Sequence, residues 1–98
     1  MADFILLMHN DYRPDDDAGN WQPYLDTLSC AGVLRGGSAL GAGLCLRRSG
    51  EVPELTSQLV GYVKIEARDM DHAQELVQGN PVYEAGGTVE IRELPVAQ

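Results

Sequence analysis

Hydrophobic and polar positions alternate in several distinct ways along the chain, and each way predicts an element. Asp3 to His9 (DFILLMH) is a short, nearly unbroken apolar run, the pattern of a strand covered on both faces. Asn10 to Gly19 (NDYRPDDDAG) is polar, with a proline, a glycine and three consecutive aspartates, and predicts an exposed loop. The period then changes: Trp21, Tyr24, Leu25, Leu28 and Ala31 recur every three or four residues, which gathers them on one stripe of a helix from Trp21 to about Ala31. Asn20 is the expected N-cap, Pro23 falls in the first turn where its missing N–H is harmless, and Gly32 suits the left-handed stop.

Arg35 to Gly43 (RGGSALGAG) reads as a glycine-kinked strand, continued by Leu44 to Arg48 up to a turn at Ser49 and Gly50. Leu59 to Ala67 (LVGYVKIEA) alternates with period two and is the clearest strand. Asp69 caps a second helix, Met70 to Gln78, with Ala73, Leu76 and Val77 as its apolar stripe and Gly79 as its stop. Gly79, Asn80 and Pro81 make a turn, and Thr88 to Leu94 is the last strand.

The order strand, helix, strand, strand, helix, strand predicts an α+β domain of ferredoxin-like βαββαβ form. Its four-stranded antiparallel sheet carries both helices on one face. All 98 residues belong to that single domain, long enough for one core that buries roughly two-thirds of the unfolded surface. Helices cover one face only, yet the first strand is apolar on both, with Phe4, Leu6 and Met8 opposite Ile5 and Leu7. A second copy is the expected cover, giving a homodimer through the open sheet face and a dimeric α+β barrel.

Charge narrows the partners. Seven basic against fifteen acidic residues give a net charge of −8, and no basic cluster exceeds Arg47-Arg48, which argues against nucleic acid and against an anionic membrane surface. Cys30 and Cys45 have neither Cys-x-x-Cys spacing nor a histidine pair beside them, so both are expected as buried or half-buried thiols without metal. With no signal-peptide pattern and no apolar run long enough to span a bilayer, a cytoplasmic location is the expectation. The glycines of residues 35–43 lack both the Gly-x-Gly-x-x-Gly order and a terminal Gly-Lys-Ser/Thr, and no helix pattern follows, so a phosphate-cradling loop is not expected. No cofactor is signalled.

The segments ILLMHND, AGVLRGGSAL, QLVGYVKIEARDMDHAQEL and GNPVYEAGGTVEIREL resemble, in order and spacing, the YCII-related or DGPF-domain family. That resemblance implies a dimeric α+β barrel. Most members lack an assigned activity, and a few are similar to lyases or dehydrochlorinases of small chlorinated aromatic acids or quinols, with a histidine and an aspartate proposed to work together. This chain departs from the pattern. EVPELTS, with only Pro53 in common, replaces the Asp-Gly-Pro-Phe stretch; Tyr24 stands where the first helix would offer the histidine, and Asn80 where the aspartate would precede Pro81. A carboxamide is no general base near neutral pH.

His9, at a strand end, is therefore the one candidate catalytic residue, as a proton shuttle beside a cleft, against the plainer reading of a surface histidine. Tyr24, Arg35, Asn80 and Tyr83 are the candidate ligand contacts, in a cleft expected between the first helix and the Asn80 turn. Arg35 would neutralise an anionic ligand, and Trp21 is expected in the core or the cleft wall. His72 is expected to face solvent, and the acidic triplet Asp15 to Asp17 to be solvated charge. The function expected is a small-organic-ligand-binding or regulatory homodimer without an intact catalytic pair, the alternative being a lyase- or dehydrochlorinase-like enzyme on a small aromatic or quinol.

Overall fold

A computed structural model describes residues 1–13 and 20–96, so the acidic triplet lies outside the described residues. The elements are β1 (Ala2–His9), α1 (Gln22–Cys30), β2 (Leu34–Ala39), β3 (Leu59–Ala67), α2 (Met70–Glu75), α3 (Pro81–Glu84) and β4 (Val89–Leu94). The strands form one sheet in the order β2-β3-β1-β4, and β1–β3, β1–β4 and β2–β3 all pair antiparallel. This is the ferredoxin-like α+β arrangement, with the most apolar strand, β1, at the centre.

Alternation along β1 divides the sheet into two faces. Phe4, Leu6 and Met8 stand opposite Ile65, Val63 and Gly61 of β3, and all six are buried. They pack with Tyr24 and Leu28 of α1, Ala73 of α2, Val77 and Val82 into one core. Leu6 and Ile65 have no exposed surface, so truncating either to alanine costs about 2–5 kcal/mol. The other face carries Ile5 and Leu7 on β1, Tyr62, Lys64 and Glu66 on β3, and Glu90 and Arg92 on β4. Ile5, Leu7 and Tyr62 stay half-buried there, with no helix among the described residues packed over them.

Several boundaries differ from the expectation. The N-cap of α1 is Trp21 rather than Asn20, and no side chain caps it, because the first helical carbonyl is that of Trp21, which accepts from the Leu25 N–H at 3.0 Å. Gly32 does take the left-handed conformation, with φ of 74°. Cys30 is exposed instead of buried, two residues past Leu28 and thus about 200° around the helix from the core stripe; Cys45 is half-buried.

No strand forms at Leu44 to Arg48. The paired register ends at Ala39–Gly61, followed by one more bond from the Leu40 N–H to the Val60 carbonyl, and residues 41–58 have no regular secondary structure. The second helix ends at Glu75, and the residues that follow make a turn into α3, an element absent from the sequence expectation. Asp69 caps α2 as expected, its Oδ1 accepting from the His72 N–H at 2.8 Å. His72 is half-buried rather than free in solvent, and its Nδ1 accepts from the Arg68 N–H at 3.0 Å.

Candidate functional site

A cavity of about 630 Å³ lies between α1 and the β2–β3 edge of the sheet. Trp21 and Leu25 come from successive turns of α1, Met8 and Val63 from the helix-side face of the sheet, Tyr12 from the chain leaving β1, and Val82 from α3. Residues 36–39 of β2 form another wall almost without side chains. Gly37 is required there: a Cβ would lie 2.7 Å from the Tyr62 carbonyl oxygen and 3.2 Å from the Val63 Cα, so only glycine lets β2 approach β3 this closely. None of the described residues that line it is a histidine, an acid, a lysine or an arginine. A cavity so lined can hold and stack an uncharged ring.

The space expected between α1 and the Asn80 turn is filled. Tyr24 is buried and its hydroxyl donates to the Leu76 carbonyl at 2.6 Å, tying α1 to the end of α2. Gly79, with φ of 88°, brings the chain past that ring: a Cβ there would sit 3.7 Å from Tyr24 Cδ1. Asn80 is fully buried and turns its Oδ1 to the N–H groups of Val82 and Tyr83 at 3.0 and 3.2 Å, the N-cap of α3. Its Nδ2 meets no acceptor at hydrogen-bonding geometry. It nevertheless lies close enough to the Tyr24 phenol to oppose part of the effect of burial, which pushes the Tyr24 pKa up to about 12. Trp21 packs edge-on against Tyr24, ring centroids 5.9 Å apart at 67°, so this buried node supports one wall of the cavity.

His9 lies on the other side of the sheet. The alternation of β1 puts it on the face of Ile5 and Leu7, where its Nε2 is 3.1 Å from Oε1 of Glu90, whose Oε2 accepts from Arg92 Nε at 2.8 Å. The Arg92 contact, then His9, holds the Glu90 carboxyl below its ordinary range. Nearby, Asp11 accepts from the Thr88 hydroxyl at 2.7 Å and the Thr88 N–H at 2.8 Å, and these bonds lower its pKa too.

Arg35 also belongs to the open face, paired with Glu66 at 3.2 Å and donating to the carbonyls of Gly32 and Leu34. Tyr83 is 44% exposed and borders a second cavity of about 390 Å³ with Gln74, Gln78 and Thr88. Of the five sequence candidates, then, Tyr24 and Asn80 come together in the core, His9 and Arg35 lie on the opposite face, and Tyr83 stands apart. None lines the cavity between α1 and β2.

Sequence reasoning missed Glu90 as the partner of His9, because the two meet only through the β1–β4 register, which pairs Met8 with Val89. It also missed Met8, Tyr12, Leu25 and Val60 as cavity wall; their apolar periodicity signals burial and cannot tell a packed surface from a lined one. Among the described residues no cluster of three or more histidine, cysteine or acidic side chains is placed to hold a metal. No helix among them is long and apolar enough to cross a membrane.

Comparison with known proteins bears on this geometry. The profile of the YCII-related domain matches residues 14–96. A solved structure of similar fold is the 5-chloro-2-hydroxyhydroquinone dehydrochlorinase TftG from Burkholderia phenoliruptrix, in complex with 2,5-dihydroxybenzoquinone. It shares 20% identity over 97% of this chain and 95% of its own, with a TM-score of 0.60. No curated protein matches the sequence.

Proposed function

From the premise that this chain belongs to the YCII-related domain family, we propose that it is a small-ligand-binding homodimer whose ligand is an uncharged or weakly polar single-ring compound held between α1 and β2. The observation that carries this reading is the cavity itself. Its volume of about 630 Å³ falls in the range of small-molecule sites, and among the described residues its walls are mainly aromatic, aliphatic and glycine backbone. The two positions that the family resemblance marks for chemistry, Tyr24 and Asn80, have become neutral groups of the core that hold α1, α2 and α3 together. The half-buried Ile5, Leu7 and Tyr62 support the dimer, since a face of this composition is otherwise left to water. The ring-shaped ligand of TftG, a protein of the same fold, agrees in size with what the cavity accepts.

Trp21, the single tryptophan, lines the cavity and reports on it. Titration with quinols and benzoquinones while following its fluorescence, with thermal shift in parallel, is expected to give a saturable change. That change should be lost in Val60→Phe, which fills the wall. The absence of any saturable response up to millimolar ligand refutes the binding reading.

One observation favours a second reading. The His9–Glu90 pair has the make-up of a base and the carboxylate that orients it. If those compounds are turned over at an enzymatic rate of about 1–10³ s⁻¹ and His9→Ala abolishes the turnover, the protein is an enzyme rather than a binding module.

A further inference from the structure

Residues 40–58 leave the body of the protein as an arm. It begins where the Leu40 N–H donates to the Val60 carbonyl at 3.0 Å, and it ends where Asn10 holds the Gln58 and Ser57 carbonyls at 2.8 and 2.9 Å. Its legs lie side by side, the Cβ direction of Gly43 pointing to Leu55 at 3.8 Å, and its tip turns where Arg47 Nη1 donates to the Glu51 carbonyl at 3.0 Å. Beyond these contacts it carries a row of bare apolar side chains: Leu44 is 72% exposed, Leu46 89%, and Val52 and Leu55 50% each. The radius of gyration, 14.9 Å, exceeds the about 13 Å of a compact chain of this length, as a projecting arm requires. Exposed leucines concentrated on one projection mark an interaction surface.

We propose that this arm is exchanged between two copies of the chain, laying Leu44 and Leu46 on apolar surface of the second copy and Arg47 and Arg48 against its acidic body. The inference rests on the homodimer of the reading above and adds the element that grips the partner. Charge selects the occupant. The arm's two arginines and two glutamates cancel, so the whole net charge of −8 lies on the rest of the chain, while both arginines sit together at the tip. The Arg47–Arg48 tip therefore finds its opposite charge on the acidic body of a second copy, and that contact offsets part of the repulsion between two bodies of like charge.

Position agrees. The arm prolongs β2 and β3, and β3 bears the open-face residues Tyr62 and Lys64, so a copy laid on that face meets the arm next. Reach agrees as well: the leg from Leu40 to Arg48 spans up to roughly 30 Å when extended, against a molecular thickness of 18 Å.

Sedimentation across a dilution series tests the proposal on the full chain, with wild type, Leu44→Asp/Leu46→Asp, Arg47→Glu/Arg48→Glu and Leu7→Asp compared and circular dichroism checking the fold. The expected result is a wild-type dimer whose dissociation constant rises at least about tenfold in each arm variant. The arginine variant changes only exposed residues, so it remains informative if the leucine variant misfolds. Arm variants that dimerise like wild type, while Leu7→Asp is monomeric, overturn the arm and leave the sheet-face dimer standing. A wild type monomeric at micromolar concentration overturns both. Monomeric protein that co-sediments with phosphatidylserine-containing vesicles, and loses this in Leu44→Asp/Leu46→Asp, overturns the proposal by giving the arm to a membrane.

Discussion

Tyr24 allows a sharp test, because its hydroxyl ties α1 to the end of α2 and its ionisation is coupled to folding. In Tyr24→Phe the ring still packs, but the 2.6 Å bond to the Leu76 carbonyl is lost and that acceptor is left without this partner at a site closed by the ring itself. The loss should cost about 1–3 kcal/mol at neutral pH, which for a chain of this size lowers the melting temperature by roughly 4–8 °C per kcal/mol. Alkali adds an independent signature. Burial raises the folded-state pKa of Tyr24 from 10.0 to about 12, so the neutral phenol favours the fold. A raised folded pKa gives stability that is fully present below the unfolded value and lost as pH climbs through the folded one.

The window is therefore pH 10 to 12. Two pKa units correspond to about 3 kcal/mol. Urea denaturation of wild type and Tyr24→Phe at intervals from pH 7 to 12 is the assay. Wild type should start more stable and then lose its lead across that window, with the other tyrosines cancelling in the difference. Parallel curves from pH 7 to 12 would refute the reasoning, since they would mean that Tyr24 ionises alike in the folded and unfolded chain.

Asn80→Ala removes the cap of α3 and leaves a void among buried groups; a loss of about 1–3 kcal/mol is expected in the same denaturation assay, together with a weakened Trp21 response to ligand. Gly37→Ala places a methyl 2.7 Å from the Tyr62 carbonyl oxygen, so β2 must shift; amide exchange should show β2 opening before β1 and β3, and an unchanged exchange pattern would contradict the close approach. Asp11, with its folded pKa lowered chiefly by the Thr88 hydroxyl, contributes stability that is present above its ordinary value of 3.8 and lost as pH falls through the lower folded value. Asp11→Asn should accordingly flatten the acid end of the stability profile, read by melting temperature from pH 6 downward.

The sequence by itself determined the fold class and most of the element types. The unbroken apolar run of β1, the period-two alternation of β3 and the three-to-four spacing of Tyr24, Leu25 and Leu28 are local signals, written in neighbouring residues, and they survive folding because burial enforces them. Gly32 and Gly79 were legible for the same reason, since left-handed backbone selects glycine within a few residues of a helix end. The limit of local signals shows at residues 44–48, whose composition suits a strand although β3 starts at Leu59, too late in the chain to pair with them.

Tertiary structure alone decided the rest, which is the functional part. Whether His9 meets a partner depends on the register that brings β4 against β1, and Glu90 lies 81 positions away in the chain. Tyr24 and Asn80 have the composition of ligand contacts, yet the Gly79 turn folds them inward, where a hydroxyl and a carboxamide hold helices together. The cavity formed elsewhere, from residues whose sequence pattern says only that they are apolar. Periodicity reports which side of an element avoids water, but a cavity is a failure of two such sides to meet, and that depends on how far apart α1 and β2 are held.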